Sequence, residues 1–247
     1  MDEVWSRQFR VRSSDVTKRR VLRLSTLLRY IQEGTVRHTT ELGMGRDMTL
    51  DRGLLWVITQ QHLTVKRLPG YDEVITLKTW PGASLHLFFP RYTSVLDAAG
   101  EELIHAKTLW VLMDEKVRRP VFPQKYGVHI EGVSQPGDFP LPRVALPKAG
   151  DRLLLKRDRT ALFSECDING HMNNSLYFDL FDDMMQECMA GRSSDIDVSE
   201  ISAEYIDEIP YGFRYTASLY QSEEGYLLLG AQGDRSLFRI RLICGKE

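Results

Sequence analysis

The same order of amphipathic patterns occurs twice in this chain, and that repetition limits the folds open to it more than any other feature. Residues 24–42 place Leu24, Leu27, Leu28 and Ile31 at the i, i+3, i+4, i+7 spacing of one helix face, and the stretch is too long for a single strand. Residues 174–190 repeat the pattern with Leu176, Tyr177, Leu180, Phe181, Met184, Met185 and Cys188. Behind each helix comes a run of β-branched and aromatic segments separated by turn residues: 53–67, 73–80, 86–97 and 102–114, then 199–208, 214–223, 225–232 and 236–244. Between the halves lies SQPGDFPLPRVALPKAG, in which Pro136, Pro140, Pro142 and Pro147 interrupt any regular hydrogen-bond ladder. The expectation is one unit over 1–133, a linker over 134–150 and a second unit over 151–247. Each apolar face must bury against another element, so each unit is read as one long helix on a curved antiparallel sheet, an α+β arrangement present twice. Alternating βαβ units are disfavoured because too few helices separate the strands. Aligning the halves puts Asp15 on Asp167, Pro69 on Pro210 and Gly100 on Gly233, as a duplicated unit would.

Composition sets the class. Lys plus Arg number 32 against 34 Asp plus Glu, a net charge of −2 that argues against a general nucleic-acid binder. Hydrophobic residues make up 43%, enough for a sizeable core. No apolar run approaches the roughly 18 residues of a membrane span. Residues 1–12 have no apolar stretch of the kind a secretory signal needs. Cys166, Cys188 and Cys244 are odd in number and lack metal-ligand spacing, so a reduced, cytoplasmic protein without a metal is expected.

The chemistry concentrates in Asp167-Ile168-Asn169-Gly170-His171-Met172-Asn173-Asn174, directly before the second helix. Asn173 or Asn174 suits the N-cap, because a short side-chain carbonyl accepts an otherwise unpaired first-turn N–H. Gly170 suits a sharp turn. The helix start is expected to favour negative charge, including an oxyanion held by its backbone N–H groups. His171 brings a group that exchanges protons near neutral pH.

That string, with the repeat, resembles the fatty acyl-ACP thioesterase family of plants and bacteria. LLRYIQEGTVRHTTELG, GLLWVITQQHLTVKRLPGYDEVITLKTWP and TLWVLMDEKVRRPVFP resemble its amino-terminal half, and AEYIDEIPYG follows the motif helix as in its carboxy-terminal half. The resemblance implies a tandem (double) hotdog, two antiparallel sheets each wrapped around a long helix. It also implies hydrolysis of fatty acyl-ACP to free fatty acid, with no metal or organic cofactor. Carried over position by position, its catalytic Asp, Asn, His and strand Glu fall on Asp167, Asn169, His171 and Glu208. The aligned residues of the first half, Asp15, Thr17, Arg19 and Arg67, form an incomplete set, so one site per chain is expected. Plant members carry a Cys after the Glu where this chain has Ile209, which excludes a thiolate there. Cys188 and Cys244 read as small buried hydrophobes, leaving Cys166 as the cysteine to test.

Two mechanisms fit the residues: direct water attack with Glu208 and His171 taking its proton, or a carboxylate nucleophile forming an acyl anhydride. In the water scheme Asn169 positions the reactants, and Asp167 fixes the loop and the imidazole tautomer. Strand alternation puts Ile201, Ala203, Tyr205 and Ile209 on one face and Glu208 on the other, which leaves two readings open: Glu204, Asp207 and Glu208 as solvated edge charges, or a bulge near Pro210 that re-aims Glu208. An acidic acyl carrier protein would dock on a basic surface, either Lys18, Arg19, Arg20 and Arg23 or Lys156, Arg157 and Arg159. By resemblance the acyl chain lies mainly in the first unit, with Leu27, Leu28, Ile31 and Trp56 as candidate walls. Alternatives are a hotdog acyl-CoA thioesterase and a non-catalytic acyl-binding module. A homodimer stays open, because two joined repeats already supply the pairing of single hotdogs.

Overall fold

The computed structural model describes residues 3–133, 141–189 and 197–245. The chain divides into two compact units, Met1–Leu141 and Pro142–Glu247. The division falls within the proline-rich stretch. Pro136 and Pro140 lie outside the described residues, while Pro142 and Pro147 sit in irregular chain.

In unit 1, β1 (Trp5–Arg10) is followed by α1 (Leu24–Glu41) and then by β2 (Leu54–Val65), β3 (Val74–Pro81), β4 (Phe88–Leu96) and β5 (Glu102–Asp114). The strands pair antiparallel in the order β1-β3-β4-β5-β2. The expected stripe of α1, Leu24, Leu27, Leu28 and Ile31, is buried, and the helix packs on β1 and β3. Gly34 allows that close approach: a Cβ there would stand 2.9 Å from the Trp5 ring.

Unit 2 repeats the plan with β6 (Arg152–Thr160), α2 (Leu176–Cys188), β7 (Val198–Tyr205), β8 (Arg214–Gln221), β9 (Gly225–Gln232) and β10 (Arg235–Cys244). Its antiparallel order is β7-β10-β9-β8-β6. Phe178, Phe181 and Phe238 form the centre of the core and are fully buried, each stabilising the unit by about 1.5–3 kcal/mol. Tyr177 of α2 meets Phe238 of β10 edge-on at 4.5 Å.

Three features depart from the sequence reading. Strands β1 and β6 were not expected, because WSRQFR and RLLLKRDRT are charged segments without clean alternation. Each pairs with a single neighbour, β3 or β8, and charge on such a strand discourages pairing with other chains. Helix α2 is shorter than 174–190 at both ends. Cys188, read as a buried hydrophobe, is exposed at the helix end, and Cys244 is only half-buried.

Candidate active site

The motif loop is built from short-range backbone geometry. Residues Phe163–Glu165 make a single 3-10 turn, closed by Glu165 Oε2 accepting the Leu162 N–H at 2.8 Å. Gly170 then takes φ +80°, a left-handed conformation open to glycine without strain. Asp167 Oδ1 accepts the Asn169 N–H at 2.8 Å and Oδ2 accepts the Asn173 side-chain amide at 2.9 Å. Both carboxylate oxygens therefore serve the loop. The expectation that Asp167 fixes the loop matches these bonds. His171 Nδ1 faces the Met172 carbonyl at 3.4 Å.

Neither candidate is the N-cap of α2, which is Ser175 with no side-chain cap hydrogen bond; Asn173 instead closes the turn in front of it. Its Oδ1 accepts from the Ser175 N–H at 3.0 Å and from the Ser175 hydroxyl at 2.8 Å, and its main-chain oxygen accepts the Leu176 N–H at 3.0 Å. The Phe178 N–H goes to the Ser175 carbonyl at 3.1 Å. Backbone donors expected to hold an oxyanion are thus already engaged at Ser175, Leu176 and Phe178. The side-chain Nδ2 of Asn174, by contrast, is buried without a hydrogen-bond partner.

Glu208 reaches this loop by way of a bulge. Beyond β7, the N–H groups of both Ile206 and Asp207 donate to one acceptor, the Leu237 carbonyl, at 2.9 and 3.0 Å. Two residues opposite one shift the alternation by one position, which brings Glu208 into phase with Tyr205. Tyr205 faces α2, its ring 5.5 Å from Tyr177 and its hydroxyl donating to the Asn174 carbonyl at 3.2 Å. The Met172 N–H bonds the Ile209 carbonyl at 2.8 Å, setting His171 beside Pro210 in an antiparallel bridge. As a result His171 Nε2 lies 3.8 Å from Glu208 Oε1, with side chains 17% and 29% exposed. His171 Nε2 has no hydrogen-bond partner. The neighbouring acids are occupied elsewhere: Asp207 pairs with Arg235, and Glu204 accepts the Val144 N–H at 3.1 Å. Glu208 is therefore not one of three equivalent edge charges. Asn169 is half-buried on the same loop.

Cys166 is half-buried beside the loop, its thiol 3.5 Å from the Leu162 carbonyl. Burial and the nearby charges of Asp167 and Glu165 push that thiol up, away from the thiolate. Among the described residues, no group of three or more His, Cys, Asp or Glu side chains is placed to hold a metal ion.

Unit 1 contains the same turn in a different register from the sequence alignment. Val16 bridges Leu22 as Cys166 bridges Met172, and Arg20 takes φ +64° where unit 2 has Gly170. Asp15 closes the 3-10 turn by accepting the Arg12 N–H, so its counterpart is Glu165 and not Asp167. The Leu22 N–H bonds the Pro69 carbonyl as the Met172 N–H bonds that of Ile209. In this register Thr17, Arg19, Val21 and Leu68 occupy the places of Asp167, Asn169, His171 and Glu208. Hydrophobic residues stand where unit 2 carries its His and Glu.

Other sequence candidates separate. Leu27, Leu28 and Ile31 are closed into the unit 1 core, whereas Trp56 is half-buried, edge-on to Phe89 at 4.8 Å. Arg157 and Arg159 are taken by Glu187 and Glu165. Lys18, Arg19 and Arg20 are exposed on the unit 1 turn. Around the unit 2 turn the surface is apolar, with Phe163, Ile168 and Tyr211 exposed by 80%, 87% and 66%.

Residues 2–125 match the acyl-ACP thioesterase N-terminal domain, and residues 156–229 match the acyl-ACP thioesterase C-terminal domain. The chain belongs to the acyl-ACP thioesterase family. It is 25% identical over 189 residues to the chloroplastic acyl-[acyl-carrier-protein] hydrolase FATB2 of Cuphea viscosissima, an alignment covering 70% of this chain and 45% of the relative. The chain thus spans less than half the length of the curated relatives it matches. Two solved structures share its double hotdog fold. The acyl-ACP thioesterase of Bacteroides thetaiotaomicron superposes with TM-score 0.81 at 19% identity, covering 98% of each chain. The 12:0-ACP thioesterase of Umbellularia californica superposes with TM-score 0.78 at 22% identity, covering 100% of this chain and 99% of that one. Among the described residues of this family member, no helix is long and apolar enough to cross a membrane.

Proposed function

We propose that the chain hydrolyses the thioester of a fatty acyl group carried on acyl carrier protein, by direct attack of water. The observation that carries this reading is the His171 Nε2 to Glu208 Oε1 separation of 3.8 Å, with the imidazole nitrogen otherwise without a hydrogen-bond partner. The separation exceeds a hydrogen bond, but an oxygen about 2.8 Å from each group fits off the line between them. Water in that place gives a proton to the pair as its oxygen attacks the thioester carbon. The C–S bond then breaks, and the proton passes to the departing thiolate. Asp167 holds the loop, and Asn169 on the same loop positions the reactants. The high thiol of Cys166 and the Ile209 side chain support water over a thiolate.

The apolar surface supports a macromolecular carrier. In unit 1 the places of Phe163 and Ile168 are held by exposed Ser13 and Lys18, so the turn itself does not require hydrophobic residues. Exposed apolar residues beside the proposed site suit an arm and carrier that cover them on binding. Acidic carrier surface is proposed to meet Lys18, Arg19 and Arg20. Three unpaired cysteines fit a reducing compartment such as the cytoplasm.

The test is thiol release from matched C8 to C18 acyl-ACP and acyl-CoA, by wild type and His171→Ala. A higher kcat/KM on acyl-ACP, lost in the variant, supports the reading. A preference for acyl-CoA reassigns the carrier. Tight acyl-ACP binding without thiol release from the wild type refutes hydrolysis.

A further inference from the structure

We propose that Asn174 is a further catalytic residue, whose side-chain amide donates to the thioester carbonyl oxygen and to the oxyanion that forms on it. This inference rests on the hydrolytic reading above and names a donor which that reading leaves unassigned. The negative oxygen of a tetrahedral intermediate requires hydrogen-bond donors already in place. The helix start does not offer its usual set: the N–H groups of Ser175, Leu176 and Phe178 are bonded to Asn173 and Ser175. Gly170 N–H and Asn169 N–H are likewise held by Asp167.

Asn174 Nδ2 is the side-chain donor in the 167–175 segment that is buried with no partner. A buried amide left unbonded destabilises a fold, so its presence calls for an acceptor that arrives with the substrate. Its position suits the part. Asn174 is three residues from His171, and its main-chain carbonyl is tied to the hydroxyl of Tyr205, the residue with which the bulge brings Glu208 into phase. The same loop therefore holds two buried nitrogens without partners, His171 Nε2 and Asn174 Nδ2. The first faces the carboxylate that would bind water, and the second is left for the carbonyl oxygen. Neither is open to bulk water. A donor in such a desolvated place bonds a developing charge more strongly than one in water.

Asn174→Leu removes the amide at nearly constant volume and leaves the main-chain bond to Tyr205 intact. An oxyanion donor predicts a kcat on acyl-ACP lower by about 10²–10³-fold, with KM changed by less than about 3-fold. An amide with no partner in the folded protein also predicts an unchanged or higher melting temperature, because the variant no longer buries an unbonded polar group. Asn174→Ala serves as the second variant and should show the same loss of kcat. A wild-type kcat in either variant overturns the proposal while leaving the hydrolytic reading intact. A clear fall in melting temperature in Asn174→Leu assigns the amide a structural role and overturns it as well. A wild type silent on every acyl thioester removes both the reading and the proposal.

Discussion

Replacing Glu208 by Gln keeps the side chain's size and removes the charge that faces His171 Nε2 at 3.8 Å. A positioned proton acceptor contributes about 10²–10⁴-fold to rate, so kcat should fall by roughly 3–5 kcal/mol of barrier. Glu208→Asp retracts the carboxylate by one methylene, about 1.5 Å, leaving it roughly 5 Å from the imidazole. A misplacement of that size should cost about 10²-fold. The decisive variant is the double, Glu208→Gln with His171→Ala. If both groups act on one water, removing the second after the first should change kcat by less than about 10-fold, because the unit is already broken. If they act separately, the losses multiply. Stability should hardly move, since a half-exposed pair beyond hydrogen-bond distance contributes under about 1 kcal/mol, or roughly 2–4 °C in a chain of this size. The assay is steady-state thiol release from one acyl-ACP, with folding followed by circular dichroism. Multiplicative losses in the double variant, or a fully active Glu208→Gln, would refute the shared-water geometry.

Phe163→Asp and Ile168→Asp place charge on the exposed apolar surface; each should raise KM for acyl-ACP about 10-fold while sparing a small thioester, and an unchanged KM would remove this surface as a carrier contact. Gly230→Ala drives a Cβ into the ring of fully buried Phe238. It should destabilise the chain by about 1–3 kcal/mol in urea unfolding, against no effect if the ring can shift freely. In unit 1, two hydrogen bonds from Arg67, together with the Gly70 N–H, hold the Glu73 carboxyl below the usual carboxylate range. Because the folded value is the lower one, this stabilisation is present above that range and is lost as pH falls through the Glu73 value. Glu73→Gln should therefore flatten the acid limb of the stability profile, and an identical limb in the variant would contradict the linkage.

Much of the fold was legible because it rests on periodicity. The stripes of α1 and α2 and the apolar strands carry their pattern in residue type, so both units could be read. Strands β1 and β6 could not, since outer strands are selected to look unlike core strands. The motif named Asp167, Asn169, His171 and Glu208 together through a family resemblance, yet simple alternation turned Glu208 away from His171. What reconciles them is the pair of N–H groups at Ile206 and Asp207 sharing the Leu237 carbonyl. A bulge of this kind is set by the partner strand and has no signature in EYIDEIP itself. Sequence alignment likewise put Asp15 on Asp167 by matching residue type, where the hydrogen bonds match Asp15 to Glu165 as closers of equivalent turns. The fate of the helix-start N–H groups also lay beyond the sequence. The residue types suggest an asparagine cap on α2, and only the three-dimensional arrangement puts Ser175 at the N-cap, Asn173 on the turn before it and the Asn174 amide without a partner.

The most direct examination of the proposed chemistry is a single turnover of acyl-ACP with excess protein in ¹⁸O-enriched water, followed by mass spectrometry of the fatty acid and of peptides containing Asp167 and Glu208. Water attack predicts one heavy oxygen in the released fatty acid and none in either peptide. Heavy oxygen in the carboxyl of Asp167 or Glu208, with an unlabelled first-turnover acid, would show a carboxylate acting as nucleophile and would contradict it.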